Sequence, residues 1–304
     1  MVAVATPFTE DFELDLDALQ DNIRFMVDGG VKTGQGSLLV GGAGGEHPVL
    51  NVEERKAVMS AAGEAANGEA PVLTSIQHTD HRAILDMAKH AETVGVDGGQ
   101  LGPTYYYDST EDDVRRLFER ISSRTGLTLM IYHTWWDGLV MSPELLRDLA
   151  SLPTVKALKW SHPDPTAYRE GLQELSGELA TIDNSNNHVL SHMYGATGFI
   201  THLSGFWPEY PLDIWNKLEA RDYEGVRDRL ADFKWPWATW RSKVAAMTGG
   251  EGPFIKAAME AVGLQAGPPR PPSIRPPEEL LAELRALLAE SKVPMVGAGA
   301  VSAD

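Results

Sequence analysis

The chain has 304 residues, 43% of them hydrophobic, enough to form the core of one large α/β domain or two ordinary ones. Its net charge of -17 argues against nucleic acid as a partner, because binding phosphates needs clustered Lys and Arg. The absence of cysteine excludes disulfides, thiolate metal sites and a cysteine nucleophile, and it fits a cytoplasmic protein. We find neither an apolar run of membrane-spanning length nor the pattern of a signal peptide at the first residues.

Short apolar strands alternate with amphipathic helices through the first two thirds of the chain, as judged from hydrophobic periodicity and capping residues. The predicted strands are residues 2–5, 37–40, 72–76, 98–101, 127–132, 154–160, 179–182 and 198–201. The predicted helices are residues 16–27, 52–66, 81–94, 111–123, 165–175 and 187–194, and a further helix that opens at Ser142 and Pro143.

The alternation predicts the fold class α/β and, within it, a (β/α)8 TIM barrel with a C-terminal helical extension. The competing fold is an open doubly wound sheet. The barrel is favoured because the strand count reaches eight and because no G-x-G-x-x-G motif follows the first strand.

Helical patterns without strands fill the last third. They cover residues 223–247 and 253–262, and a Pro-rich linker at 267–272 separates them from a last helix at 277–291. We therefore predict a catalytic barrel over residues 1–220, a C-terminal helical region over 221–292, and a disordered tail over 293–304.

Lys159 ends one of the apolar strands, and this lysine is the strongest chemical signal in the sequence. A lysine on an apolar strand is costly to bury as a cation, and a neutral amine can attack a carbonyl carbon. The preceding strand ends in Tyr132. In a parallel barrel the two side chains stand at neighbouring strand ends, which predicts an imine-forming lysine with a phenol that moves protons.

Other strand ends carry polar, aromatic or glycine residues, and catalytic groups of barrels lie at these ends. A glycine-rich turn at 41–46 can present backbone N–H groups to a carboxylate or phosphate, although a plain flexible loop is equally compatible with it. Asp183 could accept a substrate hydroxyl or act as a base. His133 and the pair Trp135 and Trp136 are candidate substrate contacts, or else packing residues of the rim. We find no convincing metal-ligand spacing and predict no metal and no cofactor.

An ordered set of strand-end residues resembles the dihydrodipicolinate synthase / N-acetylneuraminate lyase family over residues 2–288. The set consists of Thr6-Pro7, Gly42-Ala43-Gly44-Gly45-Glu46, Pro103 with Tyr105, Tyr132, Lys159 and the run from Gly195 to Thr201. The resemblance implies a barrel with C-terminal helices, usually tetrameric, that forms an imine between its lysine and a 2-oxo acid such as pyruvate.

The resemblance also implies roles for single residues. Lys159 matches the imine lysine, and Tyr132 matches the tyrosine that shuttles protons. Tyr105 matches a tyrosine that some members insert across a subunit interface, with Tyr106 as the alternative. The remaining matches are predicted to bind the substrate, and they are Ala43, Gly44, Gly45 and Ile200.

The chain departs from the synthase at two positions that matter for substrate choice. Both threonines of the synthase's glycine turn are replaced, by Ala43 and Gly44, so its tyrosine–threonine–tyrosine relay cannot be intact. The arginine that holds the second carboxylate in the synthase is missing after Tyr132. The chain is therefore predicted not to be a genuine dihydrodipicolinate synthase, and the two tryptophans favour a bulkier or ring-bearing substrate.

The residues leave the reaction open between an aldolase and a dehydratase of a sugar-derived 2-keto-3-deoxy acid, since the two share every step up to the enamine. A catalytically silent ligand-binding barrel is the alternative of another class, and the retained Lys159 and Tyr132 argue against it. We expect a small-molecule 2-oxo acid as the substrate and a homo-oligomer, tetramer or dimer, with no nucleic acid or membrane as a partner.

Overall fold

A computed structural model describes residues 1–137 and 139–296 of the chain. Of the tail predicted over residues 293–304, residues 297–304 lie outside the described residues. Eight short strands are present in the described part of the chain. They are β1 Val2–Ala3, β2 Leu38–Val40, β3 Val72–Ser75, β4 Gly98–Leu101, β5 Thr128–Tyr132, β6 Val155–Trp160, β7 Ala180–Asp183 and β8 Gly198–Phe199.

Helices follow the strands, and further helices complete the C-terminal third. The first seven are α1 Leu16–Asp28, α2 Val52–Ala66, α3 His81–Thr93, α4 Glu111–Ser122, α5 Pro143–Ala150, α6 Pro165–Leu175 and α7 His188–Met193. The others are α8 Glu209–Glu219, α9 Tyr223–Arg229, α10 Trp235–Ala245, α11 Gly252–Ala261 and α12 Glu278–Glu290.

The strands form one parallel sheet in the chain order β1 to β8. The segment after β8 returns to the first strand, since Val2 and Thr201 form a parallel bridge. A parallel sheet whose strand order follows the chain, with a helix after each strand, is the topology of a (β/α)8 barrel. The predicted fold class, with its C-terminal helical extension, is confirmed.

The chain divides into two compact units. The first comprises Met1 and Val72–Ile200, which includes β3 to β8. Its strands are short and buried, and side chains such as Leu129, Ile131 and Leu158 are 0% exposed. Its helices begin where the sequence supplies caps: Thr110 forms a capping box with Asp113, and Ser142 caps α5 ahead of Pro143.

The second unit comprises Val2–Pro71 and the chain from Thr201 onward. It contains α8, a helix that was not predicted from the sequence. The helix predicted over residues 223–247 is interrupted, because a π-helical turn at Leu230–Lys234 separates α9 from α10. An aromatic cluster packs around this turn, and Phe233 lies 5.3 Å from Tyr210 and 6.1 Å from Trp237, measured between ring centroids.

The Pro-rich segment between α11 and α12 is tied to the start of the chain and is therefore not a free linker. The guanidinium of Arg270 donates to the backbone oxygens of Phe12 and Val49 at 2.6 and 2.8 Å. Gly267 has a positive φ of 67°, and a Cβ there would lie 1.7 Å from the Phe8 oxygen. Only glycine allows this approach. Separately, none of the described helices is long and apolar enough to cross a membrane.

Candidate active site

Lys159 lies on β6 with its side chain buried, and it is 6% exposed. Lys156, three positions earlier on the same strand, is exposed. Side chains of a strand alternate between its two faces, so the two lysines point to opposite sides. Lys159 therefore points into the interior of the unit, and Lys156 points to solvent.

Tyr132 is the direct strand partner of Lys159 in the β5–β6 pairing. The Lys159 Nζ lies 4.2 Å from the centroid of the Tyr132 ring. The other neighbour of this ring is Trp136, whose centroid is 5.9 Å away at an interplanar angle of 70°. Three of the predicted site residues are therefore adjacent in the first unit.

Two buried glutamines adjoin Lys159 and were not predicted. The Lys159 Nζ donates to Gln100 Oε1 at 3.4 Å, and the amide nitrogen of Gln100 donates to Gln77 Oε1 at 3.3 Å. Ser75 Oγ donates to the same Gln77 oxygen at 3.3 Å. The available signal was a polar residue, Gln100, inside a strand that is otherwise glycine and leucine. The lysine amine is thus oriented by a chain of amide groups.

His133 is fully buried, and both of its ring nitrogens are engaged by the backbone. Its Nδ1–H donates to the Ser161 oxygen at 2.5 Å, while its Nε2 accepts from the N–H of Met141 at 3.0 Å. Burial is the main cause that lowers the pKa of His133 to about 4. This geometry requires the neutral imidazole. It favours a structural role for His133 over the predicted contact with substrate.

Asp183 is also buried, and both carboxylate oxygens have partners. Oδ1 accepts from the Tyr168 hydroxyl at 2.7 Å and from the Ser185 N–H at 2.8 Å, and Oδ2 lies 3.0 Å from His188 Nδ1. Burial would raise the pKa of Asp183, but the hydrogen bonds from His188 and Tyr168 outweigh it and hold the pKa below its usual value.

These contacts favour a positioning role for Asp183 over direct substrate binding. The carboxylate already accepts three hydrogen bonds and is 1% exposed, so a substrate hydroxyl has little access to it. Ile200, another predicted site residue, follows β8, and its N–H donates to the backbone oxygen of Asp183 at 3.0 Å. The backbone of Asp183 thus holds the end of β8, while its carboxylate connects the end of β7 to α6 and α7.

The segment after Tyr132 presents two partly exposed tryptophans. Trp135 is 38% exposed and Trp136 is 47% exposed, and their rings pack edge to face with centroids 5.6 Å apart. Large aromatic side chains that keep this much exposure are typical of binding surfaces. The pair is therefore suited to contact an apolar or cyclic group.

The loop after β4 carries three consecutive exposed tyrosines. Tyr105 is 43% exposed, Tyr106 is 88% exposed and Tyr107 is 73% exposed. Tyr106 also has a positive φ of 82°. Such exposure fits the predicted insertion of one tyrosine into a second subunit. The catalytic role of Tyr105 stays a prediction.

The glycine turn lies in the second unit, after β2. A Cβ on Gly45 would lie 2.9 Å from the Gly41 nitrogen and 3.0 Å from the Val4 oxygen, so glycine is required for packing. The N–H groups of Gly45 and Glu46 donate within the turn, to Gly42 and Ala43. Among the described residues, the N–H groups of Ala43 and Gly44 donate to no backbone oxygen, so these two are the better candidates for binding an anion.

A second lysine, Lys256, is buried in the second unit at 1% exposure. Its Nζ donates to the Pro268 oxygen at 2.9 Å and lies 2.6 Å from Glu46 Oε1. An amine held in this way is a poor candidate for the imine, since a buried ion pair would have to be broken first. Among the residues that the structure describes, no group of three or more acidic or histidine side chains is arranged to hold a metal ion.

Comparison with known proteins gives one consistent family. The sequence pattern of the Dihydrodipicolinate synthetase family matches residues 1–291. A 4-hydroxy-tetrahydrodipicolinate synthase of Exiguobacterium sibiricum is 27% identical over 279 residues, which cover 91% of this chain and 92% of the relative. An uncharacterized DapA-like lyase of Thermococcus onnurineus is 26% identical over 299 residues, which cover 95% and 98%.

Solved structures of the same kind share the fold. A sialic acid aldolase of Ruminococcus gnavus, a catalytic lysine mutant, has a TM-score of 0.86 at 20% identity, with 96% of this chain and 95% of the other covered. A dihydrodipicolinate synthase from Oceanobacillus iheyensis has a TM-score of 0.84 at 24% identity, with 96% and 95% covered. The expectation that the chain is an enzyme of the lyase class is confirmed. The chain belongs to the Dihydrodipicolinate synthetase family.

Proposed function

We propose that the protein is a lyase that acts on a 2-oxo acid of the pyruvate type through an imine on Lys159. One observation carries the proposal: the Lys159 amine is buried and lies 4.2 Å from the ring centroid of its strand partner Tyr132. A buried amine beside a phenol supplies both the nucleophile and a group that can move protons.

The chemistry follows from these two groups. The Lys159 amine attacks C2 of the 2-oxo acid, and loss of water gives a protonated imine. The positive nitrogen withdraws electrons from C3. Either a C3–C4 bond is then cleaved or formed, or water leaves across C3 and C4. Tyr132 is proposed to give and take the protons of these steps. The imine itself accepts the electrons, so we propose that neither a metal nor another cofactor is needed.

We propose that the substrate of this protein differs from that of the synthase. No arginine lies between Tyr132 and Pro143, so the chain offers no bidentate partner there for a second carboxylate. Trp135 and Trp136 instead favour a substrate with an apolar or cyclic tail. We therefore propose a substrate other than aspartate semialdehyde. Its 2-oxo acid carboxylate is received by the backbone N–H groups of Ala43 and Gly44, in the turn that Gly45 shapes by its packing.

Two other functions compete with the aldolase. A dehydratase uses the same imine and the same tyrosine, so product analysis rather than trapping separates the two reactions. A silent ligand-binding barrel would retain the fold without forming an imine. We further propose a homo-oligomer, a tetramer or dimer, in which an exposed tyrosine of 105–107 contacts the neighbouring subunit. Light scattering of the purified protein tests the assembly.

Borohydride trapping tests the imine directly. We expect incubation with pyruvate and borohydride to add one reduced pyruvate to the protein, and peptide mapping to place it on Lys159. Lys156→Ala is the matched control on the exposed side of the same strand, and it should trap normally. An adduct that persists in Lys159→Ala, or no adduct with pyruvate and a panel of other 2-oxo acids, would reject the mechanism.

A further inference from the structure

The buried ion pair between Lys256 and Glu46 has no task in the imine mechanism. Besides Glu46 and the Pro268 oxygen, the ammonium contacts the face of Phe8, with Nζ 3.9 Å from the ring centroid. Burial lowers the pKa of Lys256 to about 8, although the Glu46 carboxylate opposes the shift. Taking both charges out of water is unfavourable in itself. A pair kept under these conditions calls for an explanation beyond general stability.

Glu46 adopts an unusual backbone conformation, and both oxygens of its carboxylate have partners. Its φ and ψ are 55° and 33°, in the left-handed region, where a side chain with a Cβ is disfavoured. Such a conformation persists only when the surroundings over-determine it. Here Oε1 lies against Lys256, and Oε2 accepts from the Arg270 N–H at 3.0 Å.

The start of α11 is shaped around the same carboxylate. Gly252 is the first residue of this helix, and a Cβ there would lie 2.4 Å from the Glu46 carboxylate carbon. A helix N-terminus favours a negative charge. The bare glycine, the helix end and the ammonium of Lys256 therefore all accommodate the Glu46 side chain at this position.

Glu46 is also a member of the glycine turn. Its N–H donates to the Ala43 oxygen at 3.1 Å, which closes the loop around Gly44. The preceding residue is fixed as well, because the Thr6 hydroxyl donates to the Gly45 oxygen at 2.8 Å. A rotation of Glu46 out of the left-handed region would therefore redirect the N–H groups of Ala43 and Gly44.

We propose that Lys256 is a positioning residue, which holds the Glu46 carboxylate and thereby fixes the turn that receives the carboxylate of the substrate. The inference rests on the proposed function, since it assigns that turn to the 2-oxo acid. Lys256 does not touch the substrate. It acts through Glu46, and its removal should weaken recognition of a carboxylate while the Lys159 amine remains able to form an imine.

The test compares pyruvate with methyl pyruvate, which keeps the ketone but has no carboxylate. For Lys256→Met we expect the half-saturating concentration of pyruvate in borohydride trapping to rise about tenfold or more. The maximal trapping rate and the half-saturating concentration of methyl pyruvate should each change by less than about threefold. An equal loss with both compounds would reduce Lys256 to a structural role and overturn the proposal.

Two further variants guard against a folding failure. Lys256→Met with Glu46→Gln removes both charges, so no buried charge is left unpaired, and it should show the same loss of preference for pyruvate. Recovery of wild-type preference in this double variant would overturn the proposal. Lys243→Met breaks the exposed ion pair with Glu283 in the same unit and should behave as wild type.

The outcomes separate this inference from the function on which it rests. If the wild-type protein fails to form any adduct, or forms it on Lys256, the proposed function falls and this inference falls with it. If the wild type traps pyruvate on Lys159 and Lys256→Met keeps its preference for pyruvate, only the positioning role is overturned.

Discussion

The amide oxygen of Gln100 accepts a hydrogen bond from the Lys159 amine across 3.4 Å. This contact links Lys159 of β6 to β4, although 59 residues separate the two in sequence. Gln100 is in turn held by Gln77. The amine is thus oriented by Gln100 on β4, which is itself held by Gln77 just after β3, and this arrangement leads to our first prediction.

Gln100→Leu should slow the trapping of pyruvate on Lys159 about tenfold, because the amine loses the acceptor that orients it. The half-saturating concentration of pyruvate should change little, since Gln100 is not assigned to substrate binding. Gln77→Leu acts on Lys159 only through Gln100 and should show a smaller effect. The trapping rates of both variants are measured by quenching the reaction at successive times and determining the mass of the intact protein. Equal rates in Gln100→Leu and wild type would contradict the orienting role.

Tyr132→Phe should retain imine formation but lose turnover by about 10²-fold or more, the scale of a positioned acid–base group. The phenyl ring preserves the packing between Lys159 and Trp136, so the fold should be unaffected. Trapping and steady-state turnover are measured on the same preparation. Unchanged turnover would assign the proton transfer to another group.

Replacement of both Trp135 and Trp136 by alanine should raise KM for the true substrate much more than for pyruvate alone. Both rings are partly exposed and available to stack on a substrate tail. A screen of 2-oxo acids and their aldol adducts, read by product mass, identifies the substrate first. No effect of the double replacement, or efficient dihydrodipicolinate production by the wild type, would refute this interpretation.

His133 should make the protein less stable in mild acid. Its pKa is lowered from 6.5 to about 4 in the fold, so the unfolded chain binds more protons between these values. The free energy of unfolding is therefore fully retained above pH 6.5 and falls as the pH drops towards 4. By linkage the loss from this group is about 3 kcal/mol.

Urea unfolding at pH 7.5, 5.5 and 4.5 measures this dependence, with His133→Gln as the comparison. Gln can accept from one backbone group and donate to another, but it does not titrate. The variant should be less stable than wild type at pH 7.5, and the difference should shrink towards pH 4.5. Parallel pH profiles of the two proteins would rule out the histidine as the source.

Chelators should leave activity intact, because the protonated imine supplies the electron sink in our proposal. The measurement is turnover after dialysis against a chelator, followed by addition of divalent ions. Activity that is lost on chelation and restored by an ion would move the protein to the metal-dependent aldolases.

Helices whose ends depend on local sequence were predicted with accurate bounds. The bounds of α2 and α6 agree at both ends, since Asn51 and Asp164 supply N-caps and the apolar residues recur with helical spacing. The register that pairs Tyr132 with Lys159 was also expected from two successive strand ends. Hydrophobic periodicity and caps are local signals, so one sequence is sufficient to interpret them.

Features set by distant contacts were not predicted. The partnership of Gln100 with Lys159 and that of Glu46 with Lys256 join residues far apart in sequence, and neither leaves a pattern that can be recognised locally. The interruption before α10 is different, because Pro236 in the first turn of α10 is a local signal that a continuous helix over residues 223–247 disregards. For His133 and Asp183, the residue types suggested chemistry, and only their buried partners favour a structural role.

The way in which the second unit is assembled has a consequence for synthesis of the protein. Its first part, Val2–Pro71, is synthesised before Lys256 and Arg270, so Phe8, Glu46 and Glu54 find these partners only after the intervening residues have been made. Contacts of such long sequence separation form slowly. The N-terminal segment therefore emerges with its apolar side chains uncovered, and stop codons before residue 270 should yield chains that need chaperones or are degraded.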